Sequence, residues 1–151
     1  MMDDIRDIIA YYNREPEQEH KRLKKNQLEF DLTWRILERY LPASGRLLEV
    51  GAATGVYTLP LAQKGYDLTA VDLSREQIRF GRQRSRKAGL NERVRFFVSD
   101  VRFLSLDHQA RFDAVLLMGP LYHLVEVTDR RKALREAFMR LKSGGVIFSA
   151  F

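Results

Sequence analysis

The stretch "LLEVGAATGVY", Leu47–Tyr57, decides the fold. Leu47–Val50 reads as an apolar strand, Gly51–Gly55 as a tight turn, and the residues from Tyr57 onward as a helix. A turn between a strand and a helix N-terminus presents backbone N–H groups to a ligand. Gly51 and Gly55 allow backbone and ligand to approach closely. Ala53 stands where nucleoside-binding loops often carry a middle glycine. The alanine is tolerated there if its backbone keeps ordinary right-handed angles. The G-x-x-x-G spacing alone is weak evidence, since a purely structural turn would look the same.

Outward from this turn the elements alternate. Arg46–Val50 is the first strand, followed by a helix over 57–64 that stops at Gly65. A second strand over 67–71 leads to Ser74-x-x-Gln77, a capping box opening a helix that ends at Gly89. Strands are expected over 94–98 and 112–118. A helix over 129–141 has Ala133, Leu134, Ala137, Phe138 and Leu141 on one face. Gly144-Gly145 would stop that helix before a fifth strand over 146–151. Apolar strands separated by helices predict an α/β fold: a Rossmann-like, doubly wound, mostly parallel sheet covered on both faces.

Residues 1–44 form a helical extension, distinct from the α/β domain over 45–151. Ile5, Ile8 and Ile9 mark a short helix before Tyr11-Tyr12. After the charged run "REPEQEHKRLKK", a longer helix over 28–41 would bury Phe30, Trp34, Leu37 and Leu41. The sequence stops at the fifth strand, whose open edge invites pairing. The expectation is a domain continued by further chain, or an outer strand supplied by a second copy in a homo-oligomer.

Composition narrows the chemistry. The 151 residues suffice for one domain with its own core. With no cysteine, disulfides, zinc–thiolate sites and cysteine nucleophiles are excluded. No apolar run reaches the roughly 20 residues needed to span a bilayer. The acidic start "MMDD" is unlike a signal peptide, so a cytoplasmic location without membrane association is expected. The net charge of +6 leaves nucleic acid open as a partner without requiring it. The three histidines, His20, His108 and His123, form no metal-ligand pattern, and no metal site is expected.

Three acids lie at strand ends. Asp72 closes the second strand 21 residues after Gly51, the offset at which an acid accepts hydrogen bonds from both ribose hydroxyls. Its alternative role, capping the next helix, competes with Ser74. Asp100 ends the third strand and is placed to receive a purine amino group, with Val101 and Leu73 flanking the ring; a loop cap is the plainer reading. Glu49 would repel a pyrophosphate and favours a cationic or zwitterionic ligand.

In order and spacing these motifs resemble the class I S-adenosylmethionine-dependent methyltransferases, in particular their small-molecule branch. "EVGAATG" over 49–55 is similar to that family's E/D-x-G-x-G-x-G loop, with Ala53 replacing the middle glycine. Asp72, the pair Asp100-Val101, "FDAVLLMGPLYH" over 112–123 and "LKSGGVIF" over 141–148 match further motifs, with Ser143 standing in place of a proline. The resemblance implies a seven-stranded sheet, of which five strands are visible here, and an N-terminal segment lying over the cofactor pocket. It implies S-adenosylmethionine as cofactor and S-adenosylhomocysteine as product. The cofactor-binding set would be Glu49, Gly51, Ala53, Gly55, Tyr57, Asp72, Leu73, Asp100, Val101 and Met118.

With that cofactor the protein must align an acceptor with the methyl group and, for some acceptors, remove a proton. "GPLYH" over 119–123 lies beside the expected methyl position, which makes Tyr122 and His123 the catalytic candidates. An ordinary histidine pKa of about 6.5 suits a base near neutrality, although a helix-start histidine that only packs is the plainer reading. Tyr11 and Tyr12 are further candidates to close over the ligand. A small-molecule acceptor is favoured. "GPLY" differs from the N/D-P-P-Y/F/W segment of base N-methyltransferases, and the arginines over 75–95 form no single stripe. RNA methylation, a cofactor-binding fragment without turnover and, further off, an NAD-dependent oxidoreductase are the alternatives.

Overall fold

A computed structural model describes residues 5–150. Five parallel strands, β1 (Arg46–Val50), β2 (Asp67–Asp72), β3 (Val94–Val98), β4 (Phe112–Leu117) and β5 (Leu141–Ser149), form one sheet in the order β3-β2-β1-β4-β5. The chain builds outward from β1 through β2 to β3, then returns to add β4 and β5 on the other side. The order reverses between β1 and β4, and in open α/β sheets the carboxyl ends of the strands at such a reversal are where ligands bind.

Alternation within the strands fills two cores. Leu47, Ala114 and Leu116 face one side with α3 (Gln27–Tyr40), α4 (Thr58–Gln63) and α5 (Arg75–Lys87). Leu48, Val115 and Leu117 face the other with α6 (Val127–Met139). The α/β reading is borne out, a doubly wound sheet with helices on both faces. Ser74 caps α5 by accepting the Gln77 N–H at 3.2 Å.

Three expectations need correction. The fifth strand begins at Leu141, not after the glycines. Gly144 adopts φ +76°, and Gly145 passes so close to the Asp113 carbonyl that an added Cβ would lie 3.1 Å from it. The pair therefore makes an irregularity within β5, where the register with β4 shifts between Phe112 and Ala114. Phe151, assigned to this strand from sequence, lies outside the described residues. Phe138 is 71% exposed instead of buried, because Ala133 and Ala137 carry the sheet-facing stripe of α6. The charged run after Tyr12 is a helix: α1 (Ile5–Arg14) is followed by α2 (Pro16–Lys25), with Pro16 in its first turn, where a missing N–H is harmless. In α3, Leu37 is buried while Phe30 and Trp34 are half-buried, as is Leu41 just past its C-terminus. No helix among the described residues is long and apolar enough to cross a membrane.

Candidate cofactor and methyl-transfer site

The glycine turn sits at the switch point. Gly51 has φ +79°, and a Cβ there would fall 2.5 Å from Pro120, at the end of β4. Its missing side chain thus lets the β4 loop close against the turn. Gly55, at φ +81°, needs the left-handed region that glycine enters freely. Ala53 also has positive φ, +47°, contrary to the expectation of right-handed angles. The cause is a contact across the sheet edge: the Ala53 N–H is turned toward Asp72, at the end of β2, and donates to its carboxylate at 2.8 Å.

Asp72 grips two loops. One carboxylate oxygen accepts from Ala53 and the other accepts from the Ser74 N–H at 2.8 Å. The turn-forming role thus coexists with Ser74 as N-cap. Burial raises the Asp72 pKa against these hydrogen bonds. Glu49 is buried beneath the turn, where it accepts a hydrogen bond from the Thr58 hydroxyl. Burial pushes its pKa up to about 7; the Thr58 bond opposes the shift and the Asp72 charge adds to it.

At the end of β3, Asp100 is clasped by Arg102. The guanidinium donates to both carboxylate oxygens, at 2.7 Å in the closest bond, and its other arm donates to Asp129 of α6 at 2.7 Å. Burial opposes ionisation of Asp100, but the Arg102 bonds outweigh it and its pKa falls below the ordinary value. Val101 is buried, whereas Leu73 and Met118 are half-buried. Tyr57 stacks on Phe30 of α3 with ring centroids 5.1 Å apart. One face of this expected cofactor ligand is thereby given to packing.

The N-terminal helices make polar contacts with the glycine turn, the start of α5 and the turn after β4. The Asn13 side chain accepts from the Ser74 hydroxyl at 2.7 Å and from the Glu76 N–H at 3.3 Å. His20 Nδ1 meets the Thr54 hydroxyl, inside the glycine turn, at 2.8 Å. Burial, then the nearby Arg84 and Lys24, lower the His20 pKa to about 4. Tyr12 places its hydroxyl 3.0 Å from His123 Nε2, with the rings edge to face. Burial raises the Tyr12 pKa and lowers that of His123. Tyr122 is 61% exposed on the 3-10 turn over Pro120–His123, so the phenol beside His123 is Tyr12, 111 residues distant in sequence. Tyr12 was named from sequence only as one of two closing aromatics. Asn13 and His20 carry no signal in the sequence that marks them as contacts of this edge.

The basic stretch is partly engaged within the chain. Arg79 pairs with Glu76, Arg82 donates to the Phe96 carbonyl, Arg84 to the Thr54 carbonyl at 2.6 Å, and Arg93 to Gly65 and Asp67. No group of three or more potential metal ligands occurs among the described residues.

A parallel doubly wound sheet, with a glycine turn and acids at its switch point, defines a nucleoside-type cofactor-binding domain. Residues 47–145 match the family described as "Methyltransferase domain", and the chain belongs to that family, among the class I S-adenosylmethionine-dependent methyltransferases. It is 31% identical over 122 residues to a glycine/sarcosine N-methyltransferase of Parasynechococcus marenigrum, covering 80% of this chain and 42% of that protein. It is 34% identical over 110 residues to a ubiquinone biosynthesis O-methyltransferase of Xanthomonas axonopodis pv. citri, covering 73% and 44%. The crystal structure of the glycopeptide N-methyltransferase MtfA superposes with a TM-score of 0.69 at 26% identity, covering 79% of this chain and 51% of that one. MtfA is also known in complex with S-adenosylhomocysteine. The chain spans less than half the length of these two curated relatives.

Proposed function

We propose that this chain binds S-adenosylmethionine and transfers its methyl group to a small-molecule acceptor. The observation that carries the reading is the pairing of Glu49 with Asp72 around the turn of 51–55. A buried carboxylate with a pKa pushed up to about 7 is satisfied by a nearby cation and opposed by a pyrophosphate. The donor set therefore fits a cofactor with an ammonium and a sulfonium better than it fits a dinucleotide. Asp72 would accept the ribose hydroxyls with the lone pairs that Ala53 and Ser74 leave unused. Asp100, kept ionised by Arg102, would accept the adenine amino group, between Val101 and Leu73.

The cofactor supplies an activated methyl group, and the protein's task is to align the acceptor, exclude water and receive a proton. When bound, the cofactor would supply the methyl group as an electrophile, and the residues around the Tyr12–His123 pair would hold the acceptor toward it. The proton of the acceptor atom passes to His123, directly or through the Tyr12 hydroxyl. Both groups are neutral at pH 7 from the directions of their shifts, so the pair is ready to take one proton. The N- and O-methyltransferase relatives support a small acceptor bearing an amine or hydroxyl. The engagement of Arg79, Arg82, Arg84 and Arg93 within the chain weighs against nucleic acid.

Calorimetric titration with S-adenosylmethionine, S-adenosylhomocysteine and NAD tests the cofactor assignment. Binding of the first two without NAD is expected. Asp72→Asn should weaken both by roughly 1.5–3 kcal/mol through loss of charge-assisted bonds. Binding of NAD alone refutes the reading. Mass-spectrometric detection of methyl transfer to panels of small amines, small hydroxyl compounds and RNA separates the acceptor classes.

A further inference from the structure

The chain turns sharply after β3, and the turn is built around Asp100. The Phe103 N–H donates to the Asp100 carbonyl at 3.1 Å, and the Arg102 N–H donates to Asp100 Oδ1 at 2.8 Å. The loop-cap role of this acid is therefore real, and it takes up one side of one oxygen. Just before it, the Ser99 N–H donates to the Asp72 carbonyl at 2.9 Å, so Asp100 stands beside the Asp72 end of β2.

The Arg102 side chain grips the same carboxylate. Its Nε donates to Oδ1 at 3.0 Å and to Oδ2 at 3.1 Å, and Nη2 donates to Oδ2 at 2.7 Å. The other arm, Nη1, donates to Asp129 in the first turn of α6 at 2.7 Å, and Lys132 donates to the second Asp129 oxygen at 3.0 Å. A guanidinium held at both ends fixes the Asp100 carboxylate in one orientation. The Arg102 and Asp100 side chains are 21% and 23% exposed, which sets the pair apart from a freely screened surface contact. Two carboxylates share the one guanidinium, so Asp100 remains an anionic acceptor.

A carboxylate has about four acceptor positions. The Arg102 N–H and Nε engage Oδ1, the guanidinium fork engages the near side of Oδ2, and no other described residue donates to this carboxylate. The far side of Oδ2 is left for a ligand. We infer that Arg102 is a positioning residue for purine recognition: by occupying the other acceptor positions of Asp100 it leaves a single oriented one, which takes the 6-amino group of adenine and rejects a 6-oxo purine. An amino group donates to that oxygen, whereas a carbonyl in its place sets two acceptors against each other. A site built to accept one hydrogen bond rejects an analogue that cannot make it, provided the acceptor cannot turn away. Arg102 and its Asp129 anchor supply that rigidity.

The inference rests on the cofactor reading, with Asp100 as the adenine contact, and one experiment separates the two. The full chain is titrated calorimetrically with S-adenosylhomocysteine and with its 6-oxo analogue S-inosylhomocysteine, for the wild type, Arg102→Lys and Arg102→Gln. The wild type should prefer the 6-amino ligand roughly tenfold or more. Arg102→Lys keeps a cation between the two acids but loses the planar fork, and Arg102→Gln loses both. The preference should fall roughly threefold in Arg102→Lys and further in Arg102→Gln, through weaker binding of S-adenosylhomocysteine. An Arg102 that only ties β3 to α6 would weaken the two ligands alike. A preference unchanged in both variants, or a wild type that binds the two ligands equally, overturns the inference and leaves the cofactor reading intact. Binding of neither ligand by the wild type removes both.

Discussion

Glu49→Gln should make the protein without cofactor more stable at pH 8 and leave its stability unchanged near pH 4. The Glu49 carboxyl is buried beneath the glycine turn and its pKa is raised from 4.5 to about 7, chiefly by burial, with Asp72 adding to the shift and Thr58 opposing it. Below pH 4.5 the group is protonated in both the folded and unfolded states and contributes no difference. Between pH 4.5 and 7 the unfolded chain releases the proton while the folded chain keeps it, so stability falls as pH rises. Above pH 7 the folded protein holds a buried anion and the loss is complete. A carboxyl raised from 4.5 to about 7 costs the folded state roughly 3 kcal/mol at pH 8. Glutamine keeps an oxygen for the Thr58 hydroxyl and removes the titration. For a domain of this size the gain corresponds to a rise in Tm of roughly 6–12 °C at pH 8. Thermal and urea unfolding of both proteins from pH 4 to 8 measures the difference directly. A difference that is constant with pH, or a variant less stable at pH 8, would refute the burial argument. The same variant should bind S-adenosylmethionine less well, since the anion that destabilises the empty site attracts the cation that fills it.

Ala53→Gly should be stabilising by about 0.5–1 kcal/mol, the relief of left-handed strain (about 1–2) less the added freedom of the unfolded chain (about 0.5–1). Ala53→Val should destabilise, because a β-branched residue is poorly accommodated at φ +47°; urea midpoints decide, and a destabilising glycine would count against the left-handed assignment. His20 has its pKa lowered to about 4 by burial and nearby cations, so the folded state disfavours its protonated form. The docking of α2 on Thr54 should therefore loosen as pH falls from 6.5 toward 4. Amide exchange in α2 should show this slope in the wild type and lose it in His20→Gln; an equal slope in both would contradict it. Tyr12→Phe removes the bond to His123 and should cost about 0.5–1.5 kcal/mol of stability. A His123 titration by NMR that is unmoved in the variant would show that the two side chains do not interact in solution.

Local patterns carried much of this structure in the sequence. The apolar strands, the Ser74 cap and the glycine turn depend on short-range periodicity and turn chemistry, and each lies close to its place in the fold. The offset between Gly51 and Asp72 was equally legible, because a strand, a helix and a second parallel strand fix how far along the chain the next strand end falls. The "LKSGG" segment was misread because a glycine pair stops a helix as readily as it bends a strand. Only the neighbouring Asp113 backbone distinguishes the two. Spacing alone puts Phe138 in the core, but the sheet-facing stripe of α6 runs through Ala133 and Ala137, and Phe138 points away from it.

The sequence by itself determined the sheet, the glycine turn and the acids beside it, because those features are local or repeat at fixed offsets. Only the tertiary structure decided that Ala53 is left-handed, since its N–H is drawn to a carboxylate from the next strand. Only the tertiary structure brought Tyr12 to His123, His20 to Thr54, and Asn13 to Ser74. Those pairings join an N-terminal helix to strand ends dozens of residues away, and no periodicity encodes them. They arise because α1 and α2 fold across the carboxyl edge of the sheet, where the polar groups they bury must find partners.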